Sequence, residues 1–408
     1  MGPILKQSFW LFLSQLTTRI IGFFYTVFLA RSFGVAEFGV FSVALAYFSL
    51  VSAIAEFGFN RFLIREIARD KLRTDELLYN ISLLRLTLTS ILFALFATVL
   101  YLFDPDKIRV HLTLLGVAAV IPFSLGQTFD SIFVAKQKLQ ISAMAFFISS
   151  ISTIVVGFSL VSAGFGAIGA LVALIIGQLV YSLFLIFTLA ITKSLALSSI
   201  RFSVFKEIFK GSLPYGLLGI LGLLYFRIDI LMLSYIKGDF ETGIYGASFR
   251  FLESIMFIPT AISTALFPVL AKLHDADVKE VKSLYLKSIQ IMGIMGLLIL
   301  IGYLFILPLV IEAFLPNYIQ SIPVIAILSL SIPFMFIHAP AVQVLLSSDK
   351  YLKQVIGISI VTLSFNIIGN LIFIPQFGFM AAAWMTALSE MLSFVLFFFL
   401  VKSRILDH

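Results

Sequence analysis

FWLFLSQLTTRIIGFFYTVFLA, residues 9–30, is long and apolar enough to cross a bilayer as one helix, yet it carries Arg19 near its middle. At ~1.5 Å per residue the arginine lies roughly 15 Å in, close to the bilayer midplane. The conflict recurs along the chain. Arg61, Arg85, Arg227 and Arg250 fall inside apolar segments, as do Glu56, Asp130, Asp229, Glu253 and Glu390. Each arginine at the centre of a lipid-facing helix costs ~2.5–3.5 kcal/mol, so five cost on the order of 12–18 kcal/mol. A chain with that load places such side chains along a wet cavity, and an arginine-lined cavity points to an anionic cargo.

Working outward, eleven further segments resemble the first. The twelve lie near 9–30, 39–63, 81–103, 110–135, 141–163, 167–191, 212–236, 244–270, 284–310, 321–346, 354–374 and 379–400. Each is about the length of a tilted membrane helix. The 408 residues are 61% hydrophobic and only 12% charged, with mean hydropathy +1.10, which excludes a soluble domain of this size. The connectors are too short for a separate soluble domain. The first segment contains Gln15 and Arg19 and no small-residue cleavage site follows it, so it reads as a retained helix and not a signal peptide. The chain has no cysteine, which excludes disulfides, thiolate metal sites and cysteine nucleophiles.

The basic residues orient these spans. With the N-terminus in the cytoplasm, inner segments hold 19 of the 28 lysines and arginines, among them Lys6, Arg65, Arg69, Lys71, Arg73, Lys193, Arg201, Lys206 and Lys272. Outer loops hold 4: Arg31, Lys107, Arg109 and Lys237; the five intramembrane arginines complete the count. This bias predicts an even number of spans with both ends inside. The net charge of +7 then reflects topology and an anionic inner leaflet, not nucleic-acid binding, because the bases are spread over many short segments.

The chain divides into two halves. Residues 1–191 form a predicted N-terminal six-helix bundle and 212–408 a C-terminal one. Between them, 192–211 is a cytoplasmic linker whose stretch Ile200–Phe209 has apolar residues at helical spacing and is expected to lie on the membrane surface as an amphipathic helix. The halves repeat weakly. Glu37-Phe-Gly-Val-Phe matches Glu241-Thr-Gly-Ile-Tyr, Phe165-Gly166 matches Phe377-Gly378, and Gln178 matches Glu390. Six spans per half start both halves on the same side, which places a pseudo-two-fold axis along the membrane normal and a cavity between the bundles. The expected fold is all-α, and rocking of the halves would give alternating access.

The opening of the chain carries a family resemblance. A short basic N-terminus, a first helix with a central Arg, and then Ala30-Arg31-Ser-Phe-Gly-Val-Ala-Glu-Phe-Gly-Val-Phe resemble the polysaccharide-exporting flippases of the multidrug/oligosaccharidyl-lipid/polysaccharide superfamily. Glu56-Phe-Gly-Phe-Asn-Arg61, followed by Arg65-Glu66, looks like the end of their second helix. The resemblance covers the whole chain in helix count and layout, through soft motifs. It implies export of a polyprenyl-pyrophosphate-linked oligosaccharide from the inner to the outer leaflet of the cytoplasmic membrane, with polysaccharide polymerase machinery as a downstream partner. Twelve spans point to the O-antigen, capsule or exopolysaccharide repeat-unit branch, since the lipid II branch usually has fourteen. In that family a first-helix arginine lies in the central cavity, and Arg19 matches it.

The substrate-binding candidates are Arg19, Arg61, Arg85, Arg227 and Arg250. A guanidinium forks onto a phosphate with two parallel hydrogen bonds and keeps its proton. An internal ion pair of Arg19 with Glu56 or Asp130 is the alternative. Arg227 and Asp229 are two residues apart on a helix and face different ways, whereas Arg250 and Glu253 share a face and can neutralise each other. Arg61 and Arg85 lie nearer the cytoplasmic end, where long side chains snorkel. Glu56, Asp130, Asp229 and Glu253 are the candidates for an H+ or Na+ coupling ion; no cofactor or metal motif is present. Asp130 stacks with Gln127, and His338 sits between Pro333 and Pro340 as a helix-bend partner. Pro214, Pro259, Pro268, Pro323, Pro333 and Pro340 place a moving gate in spans seven to ten.

Two other classes compete. A multidrug or small-molecule antiporter of the same superfamily would take organic cations, which five buried arginines suit badly. An integral membrane glycosyltransferase would need acidic residues on a sugar-phosphate metal. Asp104-Pro-Asp106 and Asp275-Ala-Asp277 offer acids, but in short loops, and no nucleotide-binding or metalloprotease pattern is present.

Overall fold

The computed structural model of the chain describes residues 3–69, 74–191, 200–273 and 278–406. Lys71, Arg73, Lys193 and the Asp275–Asp277 pair lie outside the described residues, as do the side chains of Lys6, Gln15, Arg19, Arg69, Pro214, Pro268 and Lys272. Among the described residues 94% are helical, none is in a strand, and eight apolar helical stretches are long enough to cross a membrane. Two of them, Leu139–Ile191 and Leu352–Leu406, run to 53 and 55 residues, about twice the length of one crossing.

Helix α1 spans Pro3–Ser32, α2 Val35–Glu56 and α3 Phe59–Arg69. The predicted second span, 39–63, is therefore not continuous. It breaks where Phe57 and Gly58 adopt φ of 39° and 77°. Glycine takes this left-handed backbone freely, while a side-chain residue there costs about 1–2 kcal/mol. The Glu56 carboxylate offsets that cost by accepting from the backbone N–H of Gly58 at 2.9 Å and of Asn60 at 3.1 Å, two groups with no carbonyl partner at a helix start. Beyond the break α3 is amphipathic. Phe59, Phe62, Leu63 and Ile67 are buried on one face, and Arg61 is exposed.

Helix α4 spans Thr74–Phe103, α5 Lys107–Ala118, α6 Val120–Ala135, α7 Leu139–Leu160 and α8 Gly166–Ile191. Helix α9 spans Phe202–Lys237, α10 Asp239–Ile255, α11 Phe257–Leu273 and α12 Val278–Phe305. Helix α13 spans Leu307–Phe314, α14 Ser321–Ser329, α15 Ile332–Leu346 and α16 Leu352–Val401. Four predicted spans, 110–135, 244–270, 284–310 and 321–346, are thus split in two, and three of the splits share a cause. Pro122, Pro259 and Pro333 lack an N–H to give to residues 118, 255 and 329, and those residues end α5, α10 and α14. The acidic pair of the α4–α5 turn is structural. Asp106 caps α5 through the N–H groups of Ile108 and Arg109, and Asp104 holds the Arg109 guanidinium at 2.7 and 2.8 Å.

Two compact units emerge, one of Met1–Phe33 with Val40–Leu223, the other of Gly34–Gly39 with Leu224–His408. In the first, α8 packs along α7 and α6, and α6 also supports α3 and α4. Its core gathers Phe59, Phe62, Ile81, Ile132 and Leu185. Val204 and Ile208, at the start of α9, are buried in that same core. The stretch 200–209 is amphipathic as expected, but it is no separate surface helix: its apolar side covers protein, and it runs unbroken into the seventh span. Arg201 fastens it, ion-pairing with Glu76 at 3.0 Å and donating its backbone N–H to Asn80. In the second unit α15 packs against α12, α11 and α16, and α14 against α10 and α16.

The two long stretches each break at a glycine. Gly166 has φ 51°, ψ −140°, and Gly378 has φ 54°, ψ −135°, a region open essentially to glycine alone. These are the two glycines paired in the sequence repeat. At Gly378 the backbone is also closely covered by the Glu241 carboxylate, which accepts from Phe379 N–H at 2.9 Å.

Candidate substrate and ion sites

The charged residues of the spans fall into distinct clusters. In the first unit Arg85, on α4, is 0% exposed. It does not snorkel to the interface as its sequence position suggested. It donates to the Ser124 carbonyl at 2.8 Å and to Asn60 Oδ1 at 2.7 Å, lies over the Phe59 ring at 5.6 Å, and has Glu56 at 4.0 Å. Asn60 in turn donates to Gln127 at 2.9 Å and accepts from Ser131 at 3.1 Å. This network ties the α2–α3 break to α6. Gln127 bonds to Asn60, while Asp130 stands beside Ser142 and Tyr181, so the two residues that stack in sequence serve different neighbours.

In the second unit Arg227 of α9 and Arg250 of α10 converge on one carboxylate. Arg227 meets Glu253 Oε1 at 2.6 Å and Arg250 meets Glu253 Oε2 at 3.0 Å. Two guanidiniums against one carboxylate leave a net charge of +1. Arg250 and Glu253 share a face as their spacing requires, and Arg227 completes the cluster from another helix. The side chains are part-exposed, at 12% for Arg227 and 26% for Arg250. The Arg227 Nε–H is buried with no hydrogen-bond partner. A forked donor with one tine unused, beside a shared carboxylate, is a group prepared for an oxyanion.

Asp229 points elsewhere, as its spacing from Arg227 required. It is 3% exposed and surrounded by neutral groups. Oδ2 accepts from Tyr245 at 2.8 Å and from Thr386 at 2.6 Å; Oδ1 accepts from Asn370 at 2.6 Å. Asn370 also donates to Asn366 at 3.0 Å, and its own Oδ1 is buried without a partner. Among the described residues no cation pairs with Asp229. A buried carboxylate needs compensation, and oxygen-rich surroundings with an unsatisfied carbonyl offer it to a proton or a small hard cation. Sequence reading named Asp229 but missed its partners. The visible signal was Asn366 and Asn370, four apart on one face of an apolar helix. Tyr245, on α10, and Thr386, beyond the Gly378 break in α16, carry no such mark.

His338 and Glu390 meet in the same unit. The imidazole Nδ1 lies 3.1 Å from the Phe334 carbonyl and 3.4 Å from Glu390 Oε2, and the ring stacks on Phe397. His338 thus bonds within its bent helix as expected. Arg19 is placed only as a backbone position in α1.

Comparison with known proteins fits these features. The family model described as "Polysaccharide biosynthesis protein" matches residues 4–274, and the MatE family model matches 214–372. The "Putative O-antigen transporter" of Shigella flexneri is 29% identical over 321 residues, 74% of each chain. The "Probable flippase AglR" of Haloferax volcanii is 25% identical over 175 residues; the match covers 42% of this chain and 37% of that one. Among solved structures, an inward-facing multidrug resistance MATE family transporter superposes with TM-score 0.76 at 17% identity, covering 96% of this chain and 95% of that one. The lipid II flippase MurJ superposes with TM-score 0.77 at 17% identity, covering 96% and 87%. The likeness to these solved structures is one of fold. The chain is a multi-pass membrane protein, and it belongs to the polysaccharide biosynthesis protein family within the multidrug/oligosaccharidyl-lipid/polysaccharide superfamily of transporters.

Proposed function

We propose that this protein is a flippase that carries a polyprenyl-pyrophosphate-linked oligosaccharide, an O-antigen, capsule or exopolysaccharide repeat unit, from the inner to the outer leaflet of the cytoplasmic membrane. The observation that carries this reading is the Arg227–Glu253–Arg250 cluster, cationic on balance and with a free guanidinium donor inside the spans. The two relatives, the "Putative O-antigen transporter" and the "Probable flippase AglR", support the cargo class. An organic cation would be repelled by the cluster. The transport reading requires no bond chemistry of the chain.

On this reading twelve crossings form two six-helix bundles related by a pseudo-two-fold along the membrane normal, with both termini and residues 192–211 in the cytoplasm. The matched backbone angles at Gly166 and Gly378 support the repeat, and the 19-to-4 distribution of basic residues supports the orientation. Arg227 and Arg250 are the headgroup ligands, and Arg19 remains a candidate from the sequence. Arg85 holds the fold, and Arg61 remains a candidate at the inner rim. A pyrophosphate diester carries about two negative charges, and each is worth ~2.3 kcal/mol per 100 mV, so an inside-negative potential favours export by ~4.6 kcal/mol.

Coupling, where it operates, centres on Asp229. Its cage supplies three neutral side-chain donors and an unsatisfied amide carbonyl. Glu253 serves the arginines, and Glu56 serves the helix break. The test is translocation of a defined lipid-linked glycan in proteoliposomes, with potential, pH and Na+ gradients imposed separately. Wild type flips the glycan and Arg227→Ala does not. Asp229→Asn keeps substrate binding and loses the response to a pH or Na+ gradient. Absence of flipping by correctly inserted wild type would overturn the reading.

A further inference from the structure

The first unit contains a cavity of about 250 Å³. It lies among α1, α6, α7 and α8. Its polar lining is Thr18, Tyr25, Ser149, Ser150, Thr153 and Gln178; Phe123 and Tyr181 supply aromatic faces. Among the described residues no charged side chain lines it. The Thr18 hydroxyl and the Tyr25 hydroxyl are buried and lack a hydrogen-bond partner. Buried hydroxyls without partners are uncommon and call for a ligand that both gives and takes hydrogen bonds. At ~30 Å³ per water the cavity has room for about eight waters. It falls below the ~300–1,000 Å³ of sites for drug-sized molecules. One sugar ring suits that scale, and a whole oligosaccharide does not.

The lining is built for such a ring. Hydroxyls and an amide match the alternating donors and acceptors of a pyranose, and aromatic rings pack on its C–H face. Phe123 and Tyr181 lie stacked, 6.5 Å between centroids and 29° between planes. The α1 wall is kept open by Gly22, around whose Cβ position nothing lies within 4 Å. Thr18, Gly22 and Tyr25 repeat at helical spacing and form one stripe of α1. Arg19 is the residue after Thr18.

We infer that this cavity is a neutral subsite for a single sugar of the cargo glycan, recognised by hydrogen bonding and aromatic packing and not by charge. The inference rests on the flippase reading and assigns part of its specificity to α1, α6, α7 and α8. Gly22→Leu is the direct probe, because it fills the cavity and replaces a helix glycine by a better helix former. Gln178→Met is a second, which keeps volume and removes the amide.

Proteoliposomes would be loaded with one of two fluorescent probes, polyprenyl pyrophosphate bearing one N-acetylhexosamine or the same lipid pyrophosphate without sugar. The expected result is that wild type flips both. Gly22→Leu then loses at least tenfold in rate for the glycosylated probe and little for the sugar-free one, and Gln178→Met loses several-fold in the same selective way. Equal handling of the two probes by both variants, whether both are retained or both lost, overturns the subsite while the flippase reading stands. Failure of wild type on both probes removes the flippase reading and the subsite with it.

Discussion

Two clusters of span arginines, around Arg85 and around Arg227 with Arg250, hold their guanidiniums in opposite ways. Around Arg85 the acceptors are neutral and fixed: a carbonyl of α6 and an asparagine that is itself bonded twice more. Around Arg227 and Arg250 the acceptor is one shared carboxylate, and a donor is left over. The first arrangement is closed at 0% exposure, and the second is open to a partner. An arginine inside a membrane span is therefore not by itself a ligand site. Both sites leave an Nε–H unbonded, so what distinguishes a binding arginine is its exposure and an acceptor that the cargo's own oxygens can replace.

The largest expected effect is on folding. Arg85→Met leaves Asn60 and the Ser124 carbonyl without their strongest donor and loosens the α2–α3 break from α6. Breaking such a buried charged network costs about 3–5 kcal/mol. The variant should lose most of its folded yield and its cooperative melting transition in detergent. Arg85→Lys should rescue poorly, since a point charge cannot span both acceptors. A normal Tm for Arg85→Met would erase the contrast between the two sites.

Next comes Arg227. Arg227→Ala should insert and melt within a few degrees of wild type yet lose translocation by an order of magnitude or more. Arg227→Lys should recover only part, because the forked geometry is gone. Wild-type flipping by the Ala variant would move the headgroup site away from this cluster.

Glu253→Gln should act in the other direction and more mildly. It removes the carboxylate that competes with substrate, so lipid pyrophosphate should bind severalfold tighter in an equilibrium titration while flipping slows through retarded release. Weaker binding by Glu253→Gln would mean that the carboxylate orients the arginines for cargo and does not compete with it.

The smallest effect belongs to Glu56→Gln. The amide has one acceptor oxygen where the carboxylate uses two, so it keeps the bond from Gly58 or from Asn60 but not both. The loss should be of the order of 1 kcal/mol, comparable to weakening a helix cap. Transport and its gradient dependence should persist. Loss of gradient response here would return Glu56 to the coupling candidates.

Much of this was legible in the sequence because hydrophobic runs, proline and glycine are local signals. Apolar length marked the spans, and the repeat Phe165-Gly166 with Phe377-Gly378 marked two turns whose backbone angles match. The split of residues 110–135, 244–270 and 321–346 was less evident. A proline breaks a helix four residues upstream, and whether a membrane helix bends or divides there depends on what packs beside it. Arg85 looked like a snorkelling residue because depth along a helix was readable and the acceptors waiting on α3 and α6 were not. The Asp229 cage draws on α9, α10 and both sides of the Gly378 break in α16, so only its Asn366–Asn370 pair left a mark. The stretch 200–209 showed amphipathicity truthfully, but periodicity cannot say whether the apolar face meets lipid or protein.

The central claim is that the part-exposed arginine cluster sharing one carboxylate receives an anionic lipid headgroup. It is tested most directly by measuring binding of a polyprenyl pyrophosphate to the purified protein in nanodiscs, for wild type and Arg227→Ala across a range of salt concentrations. The account predicts saturable binding to wild type that weakens with salt and falls at least tenfold in Arg227→Ala. Equal affinity of the two proteins, or binding indifferent to salt, would contradict it.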